Sequence, residues 1–356
     1  MLALAFLSSM NNSGFIISYY VTSESLLIPI FWHFCYDRSM NFESIEKAYE
    51  LLLENVQLLQ NDLKTNAYDA LIEQNVIYLD AKSENETVLA NHQTLRDLGL
   101  SKEEWRRAYQ FLFIKLAQSE PLQANHQFTP DSIGFVLLFL LENLTKEQKL
   151  DVLEIGSGTG NLAQILINNS SKKLDYLGLE VDDLLIDLSA SIADVVGSEL
   201  SFAQEDAVRP SLLKESDIIV SDLPLGYYPD DSIASRYQVA AQNEHTYAHH
   251  LLMEQSLKYL KAKGFALFLA PVNLLTSPQS DLLKAWLKGY ADIVAVITLP
   301  EVLFGNPANA KSIFVLQKQS DQAPETFVYP LTDLQNRDKL LDFMENFKKW
   351  SADYIL

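Results

Sequence analysis

A single cysteine, Cys35, in a chain of 356 residues rules out an intramolecular disulfide framework and any zinc site built from several thiolates. A reducing cytoplasm is the compartment such a chain suits. Basic charge is scarce as well: 27 Lys and Arg stand against 47 Asp and Glu, for a formal net charge of -20. A protein whose main task is gripping phosphate backbones needs a basic face, so a nucleic-acid partner is expected only through a local patch or a partner subunit. Targeting signals are missing too. The opening MLALAFLSSM has no basic region, and the apolar run from Gly14 to Tyr36 is broken by Ser23-Glu24-Ser25, so neither a signal peptide nor a membrane span is expected. There is no internal repeat and no low-complexity linker. With 48% hydrophobic residues, what remains is a globular chain with a substantial core.

The texture changes abruptly at MNFESIEKAYELL, so residues 1–39 read as a leader that lies upstream of a start at Met40 and is not part of the native protein. From Asn41, Ile45, Ala48, Leu52, Val56, Leu59 and Leu63 recur at helical spacing. A second helix is expected over Ser101 to Gln118, opened by the capping box Ser101-Lys-Glu-Glu104. Residues 40–122 are therefore expected to form a small helical N-terminal domain.

After Pro121 come seven short apolar runs, KLDVLEIG, LDYLGLEV, LSFAQEDA, DIIVSDLP, GFALFLAP, DIVAVITLP and SIFVLQKQ, mostly separated by helix-compatible segments. This alternation implies an α/β fold, a doubly wound, seven-stranded, mainly parallel sheet over residues 123–319. Residues 320–356 read as a C-terminal strand, Thr326 to Leu331, and a helix ending near Trp350. Ligands of such sheets bind outside the carboxyl ends of the strands, which is where LEIGSGTGNLA and SDLPLGYYPDD fall.

In LEIGSGTGNLA, Gly156, Gly158 and Gly160 let backbone approach a ligand closely at a helix start. Gly158 to Ala163 also satisfies the dinucleotide pattern G-x-G-x-x-A, with Glu180 placed 20 residues after Gly160, so on these residues alone a nicotinamide enzyme is a fair competitor. Two further acids favour another cofactor. Glu154 precedes the glycines inside the strand, where a carboxylate suits an ammonium better than a pyrophosphate, and Asp206 closes the third strand, where it suits an adenine amino group. S-adenosylmethionine carries an ammonium, a ribose and an adenine but no phosphate, and acids at the ends of the first three strands match those groups in order.

HQFTPDSIGFVLLFLLENL, from His126 to Leu144, resembles the F-x-T-P segment that precedes the cofactor strand in N6-adenine methyltransferases, especially the modification subunits of type I restriction systems. The resemblance continues through LEIGSGTG, YLGLEVD, SDLPLG, the segment from HHLLMEQ to APVNLL, and ITLPEVLFGN followed by SIFVLQK, and covers roughly Gln123 to Lys318. It implies a Rossmann-like methyltransferase in which Phe128, Thr129 and Pro130 enclose the methionine end of S-adenosylmethionine. It also implies that Glu154 lies near the ammonium, Glu180 on the ribose and Asp206 by the adenine.

The family has Asn or Asp, then Pro, Pro, an aromatic and often Gly where this chain has Asp222-Leu-Pro-Leu-Gly226. A side-chain oxygen and a backbone carbonyl there accept both N–H bonds of an exocyclic amine and stabilise the charge that develops as methyl transfers. Asp222 keeps the side-chain oxygen, Leu223 the carbonyl, and Pro224 and Gly226 the turn. Leu225 replaces the ring that stacks on a flipped base, a face that Tyr227 or Tyr228 would have to supply. The expectation is an S-adenosylmethionine-dependent N-methyltransferase of the adenine-N6 type, with DNA methylation as the family's activity. A degenerate cofactor-binding protein, or a methyltransferase acting on RNA, protein or a small amine, is the alternative.

Other signals carry less. FGNPANAKS resembles a phosphate loop at Lys311-Ser312 but has Ala310 where Gly is needed. His245 and His249 read as a surface helix start, and no metal site is expected. Arg106, Arg107, Lys258, Lys261 and Lys263 read as solvated faces and as the first places to look for nucleic-acid contact. N-terminal peptide mapping of the natively expressed protein should find Met40 first; peptides from residues 1–39 would overturn the leader reading.

Overall fold

The structure is a computed structural model that describes residues 40–120, 129–319 and 324–356. The leader and Phe128 lie outside the described residues. Four helices open the described chain: α1 (Phe42–Leu63), α2 (Ala67–Asp80), α3 (Glu86–Asp97) and α4 (Lys102–Ser119). Each of the first three starts where an Asn side chain, Asn41, Asn66 or Asn85, accepts two backbone N–H bonds that the first turn cannot otherwise satisfy. The capping box at Ser101 and Glu104 forms as expected. On α1 the periodic residues Ile45, Ala48, Leu52, Val56 and Leu59 are buried, whereas Leu63, in the last turn, is exposed.

The sheet follows. α5 (Asp131–Asn143) leads into β1 (Lys149–Ile155), α6 (Asn161–Asn169), β2 (Lys173–Glu180), α7 (Asp183–Val196), β3 (Leu200–Gln204) and β4 (Ser216–Asp222). Beyond the short α8 (Asp231–Ala234) come α9 (Ala248–Leu257), β5 (Leu260–Pro271), α10 (Ser280–Leu287), β6 (Ala291–Thr298), β7 (Lys311–Lys318), β8 (Phe327–Pro330) and α11 (Arg337–Tyr354). The strand order is β3-β2-β1-β4-β5-β7-β6-β8, with β7 antiparallel to both its neighbours and the other pairings parallel. All seven expected runs are strands. The sheet has eight strands rather than seven, because the C-terminal strand pairs with β6 instead of standing apart from the sheet.

Strand side chains alternate between two cores, as the period of two requires. Val152, Ile218, Val220, Phe265 and Leu267 face a core closed by α5, α6 and α11, whose Phe343, Phe347 and Trp350 pack there. Leu153, Ile155, Ile219, Ala266 and Phe268 face the other, closed by α9 and α10. The helices α1 to α4 share a third core with Leu185, Leu188, Ile192, Val195 and Val196 of α7.

A buried ionic cluster joins α4 to α5 and α6. Arg106 forks onto Asp131 at 3.1 and 3.0 Å, donates to Glu103 and reaches Asn161 Oδ1 at 2.9 Å. Arg107 reaches Asp131 at 2.7 Å, and Gln110 donates to the same carboxylate at 2.7 Å. Both arginines are buried, which corrects the reading of this pair as a solvated, nucleic-acid-facing cluster. Glu103 is three and four residues away, but the acid that buries the pair, Asp131, is distant in sequence. Lys258 and Lys261 are likewise paired, with Glu254 and with Asp151 and Asp217.

Burial alone would raise the Asp131 carboxyl, but the two guanidiniums outweigh it and hold the group at about 2. Its stabilising contribution is therefore complete above its ordinary value of 3.8 and is lost as pH falls from there toward about 2. Asp131→Ala leaves two buried guanidiniums to share the single carboxylate of Glu103 and should cost about 3–5 kcal/mol in urea unfolding near neutral pH. A loss below about 1 kcal/mol would contradict this account.

Candidate active site at the carboxyl edge of the sheet

β2 and β4 end in acids, and β1 carries one just before its end. Glu154 lies one residue before the end of β1, Glu180 ends β2 and Asp222 ends β4, while Asp206 follows β3 after Glu205. Parallel pairing puts all of these ends on one edge.

Between β1 and α6 the chain turns through Gly156, Gly158 and Gly160 at φ of +70°, +54° and +77°, a region that disfavours side chains. A Cβ on Gly156 or Gly158 would meet nothing within 4 Å, so open space lies beside the loop there. Gly160 is different, since its Cβ would lie 3.1 Å from Ser189 and 3.2 Å from Phe202. Glu180 holds the loop: Oε2 accepts the Gly158 N–H at 2.9 Å and Oε1 accepts the N–H groups of Val181 and Asp182.

Glu154 is buried, and its named partner is the Tyr176 hydroxyl, which donates to Oε2 at 3.0 Å. Among the described residues no lysine, arginine or histidine pairs with it in an ion bridge. Burial pushes its carboxyl well above the ordinary 4.5, Tyr176 opposes, and the nearby Glu180 and Asp222 add to the rise. An arriving ammonium would relieve this strain. A buried carboxyl without a cation, open space beside two glycines and an acid on the glycine loop together fit the ammonium and ribose of S-adenosylmethionine. Asp206 stands further along the edge, gripped by the Tyr228 hydroxyl at 2.6 Å and by Arg209 at 3.1 Å.

Asp222 meets the F-x-T-P segment directly: Thr129 Oγ1 donates to Oδ2 at 2.8 Å, and Asn161, itself held by Arg106, donates to the Thr129 carbonyl. Pro130 opens α5 and its carbonyl accepts the N–H groups of Ile133 and Gly134. Lys311 ends on the other oxygen. Its Nζ lies 2.5 Å from Asp222 Oδ1 and 2.7 Å from the Leu223 carbonyl.

The loop after Asp222 is pinned by Leu223 N–H on Leu269, Tyr228 N–H on Thr246 and Ala248 N–H on Gly226, which takes φ +107°. Tyr227 and Tyr228 divide. Tyr228 is buried against Asp206, whereas Tyr227 is 56% exposed and stacks on Tyr247 with centroids 4.9 Å apart. Tyr247 stacks in turn on His249.

His249 is buried rather than at a surface helix start, and His245 lies outside α9, exposed and paired with Asp231. Burial first, then His250, push the His249 imidazole down to about 3, against a smaller opposing pull from the Pro224 backbone. Sequence reasoning missed Tyr176, Tyr247, His249 and Lys311 as site residues. Lys311 was readable in one respect: an antiparallel β7 brings its first residue to the edge where parallel strands end.

The sequence profile described as N-6 DNA Methylase matches residues 101–350. The uncharacterized protein YtxK of Bacillus subtilis is 33% identical over 325 residues, spanning 87% of this chain and 98% of that protein. A crystal structure from Listeria monocytogenes, of a protein assigned to the class I S-adenosylmethionine-dependent methyltransferases, is 28% identical with a TM-score of 0.80, covering 87% of this chain and 99% of that one. The type I restriction-modification methyltransferase subunit of Streptococcus thermophilus shares the fold at 14% identity, with a TM-score of 0.60 over 86% of this chain and 74% of that one.

A carboxyl raised by burial contributes stability that is present below its ordinary 4.5 and lost as pH climbs through its folded value. Relative to Glu154→Gln, the wild type without ligand should therefore lose stability as pH is raised from about 4.5, read by thermal melts across pH. Parallel pH profiles for the two proteins would contradict the assignment.

Proposed function

The chain belongs to the N-6 DNA methylase family, and from that premise we propose that it transfers a methyl group from S-adenosylmethionine to the nitrogen of an amine seated on Asp222 and the Leu223 carbonyl. The observation that carries the reading is the contact between Thr129 and Asp222, which joins the F-x-T-P segment to the D-x-P-x-G loop beside the acids of the cofactor edge.

When bound, S-adenosylmethionine supplies an electrophilic methyl on a sulfonium. Glu154 takes the ammonium, exchanging its proton for a cationic partner, and Glu180 takes ribose hydroxyls with the lone pairs its backbone contacts leave. Asp206, oriented by Tyr228 and Arg209, accepts from the adenine amino group. Asp222 and Leu223 each accept one N–H of the acceptor. They hold its lone pair in line and stabilise the positive charge that builds on nitrogen as the N–C bond forms and the C–S bond breaks. The nitrogen then releases one proton to water. Pro224 keeps the loop rigid, since its ring fixes φ.

We assign the acceptor to nucleic acid presented by a partner subunit. Tyr227 offers an exposed aromatic face on a stacked base of Tyr247, and this supplies the surface that Leu225 lacks. The paired state of Arg106, Arg107, Lys258 and Lys261 leaves those clusters little to offer a phosphate backbone, which favours delivery by a partner. The Streptococcus thermophilus protein that shares the fold is one subunit of a type I restriction-modification system.

Calorimetry should show S-adenosylmethionine binding to the wild type and an affinity on the order of tenfold lower for Asp206→Ala. Asp222→Ala should keep cofactor binding and lose methyl transfer to a mixed pool of cellular DNA and RNA. Absence of binding by the wild type defeats the first half of the reading; equal transfer by wild type and Asp222→Ala defeats the second.

A further inference from the structure

The seat described above already has an occupant. A methyl-accepting amine needs two acceptors, the Asp222 carboxylate and the Leu223 carbonyl, and Lys311 Nζ lies within hydrogen-bond distance of both, at 2.5 and 2.7 Å. Lys311 and Asp222 are largely buried, with side chains 13% and 19% exposed. Thr129 donates to the remaining Asp222 oxygen, so the carboxylate is bonded on both sides. The placement follows from topology. Lys311 is the first residue of β7, in register with Pro271 of β5, while Asp222 is in register with Leu269 of the same strand. Its neighbour Ala310 is fixed by accepting the Val272 N–H, so the lysine enters the seat from a firmly hydrogen-bonded strand end.

We propose that Lys311 is a built-in plug of the amine seat: its ammonium fills both acceptors and neutralises Asp222, so an acceptor amine enters only by displacing it. This rests on the reading of Asp222 and Leu223 given under the proposed function. Two consequences follow from charge. With Lys311 in place the seat is electrically neutral and offers little to positive charge developing on the acceptor nitrogen; with it withdrawn, Asp222 is a carboxylate held only by Thr129 in a largely buried site, where its attraction for positive charge is strong. An ammonium is also no nucleophile, because its lone pair holds a proton, so Lys311 blocks the seat without being consumed. Displacement thus couples activity to whatever draws Lys311 away, and a partner or acceptor bearing phosphate has the charge to do so.

The test uses the full chain and ligands that probe the seat directly. Sinefungin carries an amine where S-adenosylmethionine carries its methyl, whereas S-adenosylhomocysteine carries nothing there. In Lys311→Met, sinefungin should gain at least about tenfold in affinity relative to S-adenosylhomocysteine compared with the wild type. If that variant fails to fold because it strands a carboxylate, Asp222→Asn/Lys311→Met removes both charges and still frees the seat, with an expected gain of about threefold.

An unchanged ratio in the folded variants overturns the plug. So does a mass increase of one methyl on the Lys311 peptide after incubation with S-adenosylmethionine, since Lys311 would then be an acceptor. Failure of the wild type to bind S-adenosylmethionine or S-adenosylhomocysteine overturns the proposed function itself, and this inference with it.

Discussion

Gathering carboxyl groups at one edge of a sheet is the constraint around which this structure is arranged. Four acids stand at or near the ends of β1 to β4, in a chain that is already strongly acidic. Like charges brought together in partly buried surroundings repel, and each must be satisfied or lose its charge. The four are handled in four ways. Backbone N–H groups hold Glu180, a tyrosine hydroxyl and an arginine hold Asp206, a lysine and a threonine hold Asp222, and Glu154 is held by a tyrosine alone with its carboxyl pushed upward.

That division has functional meaning. Under the proposed function, Glu180, Asp206 and Asp222 are acceptors that donors of the protein itself already hold. Glu154 is the acid still lacking a cation, at the place where the ammonium of the cofactor is expected. Asp222 is answered by Lys311, which on our proposal an incoming amine displaces. The buried arginine cluster reaches the same place: Arg106 holds Asn161, Asn161 holds the Thr129 carbonyl, and Thr129 holds Asp222. The helical layer is thus wired to the site through a continuous set of hydrogen bonds rather than merely packed beside it.

The two tyrosines after Asp222 divide between the surface and the interior. Leu225 is not aromatic, but the chain turns at Gly226 and presents Tyr227 on top of Tyr247 and His249. Tyr228, which alternates with it, points inward to Asp206. Adjacent tyrosines that look equivalent in sequence have different environments because consecutive side chains of an extended segment face opposite ways.

Much of the fold was legible because its signals are local. Seven apolar runs became strands, the capping box at Ser101 formed, and the positive-φ glycines sit where the pattern placed them, since each depends on neighbours within a few residues. Strand ends also located Glu154, Glu180, Asp206 and Asp222 on one edge, as a parallel sheet must. The long-range partners of these acids and of Asp131 were not legible. Tyr176 is 22 residues from Glu154, Arg106 is 25 from Asp131 and Lys311 is 89 from Asp222, and no spacing rule spans such intervals. The same limit misplaced the basic clusters and His249, whose burial is set by elements far along the chain. By itself the sequence determined which residues stand at the carboxyl edge, because helix and strand periods are properties of short segments. Only the tertiary structure decided what each of them touches, and so that Asp222 and the Leu223 carbonyl hold Lys311, because the reversal of β7 brings together residues that no local interaction connects.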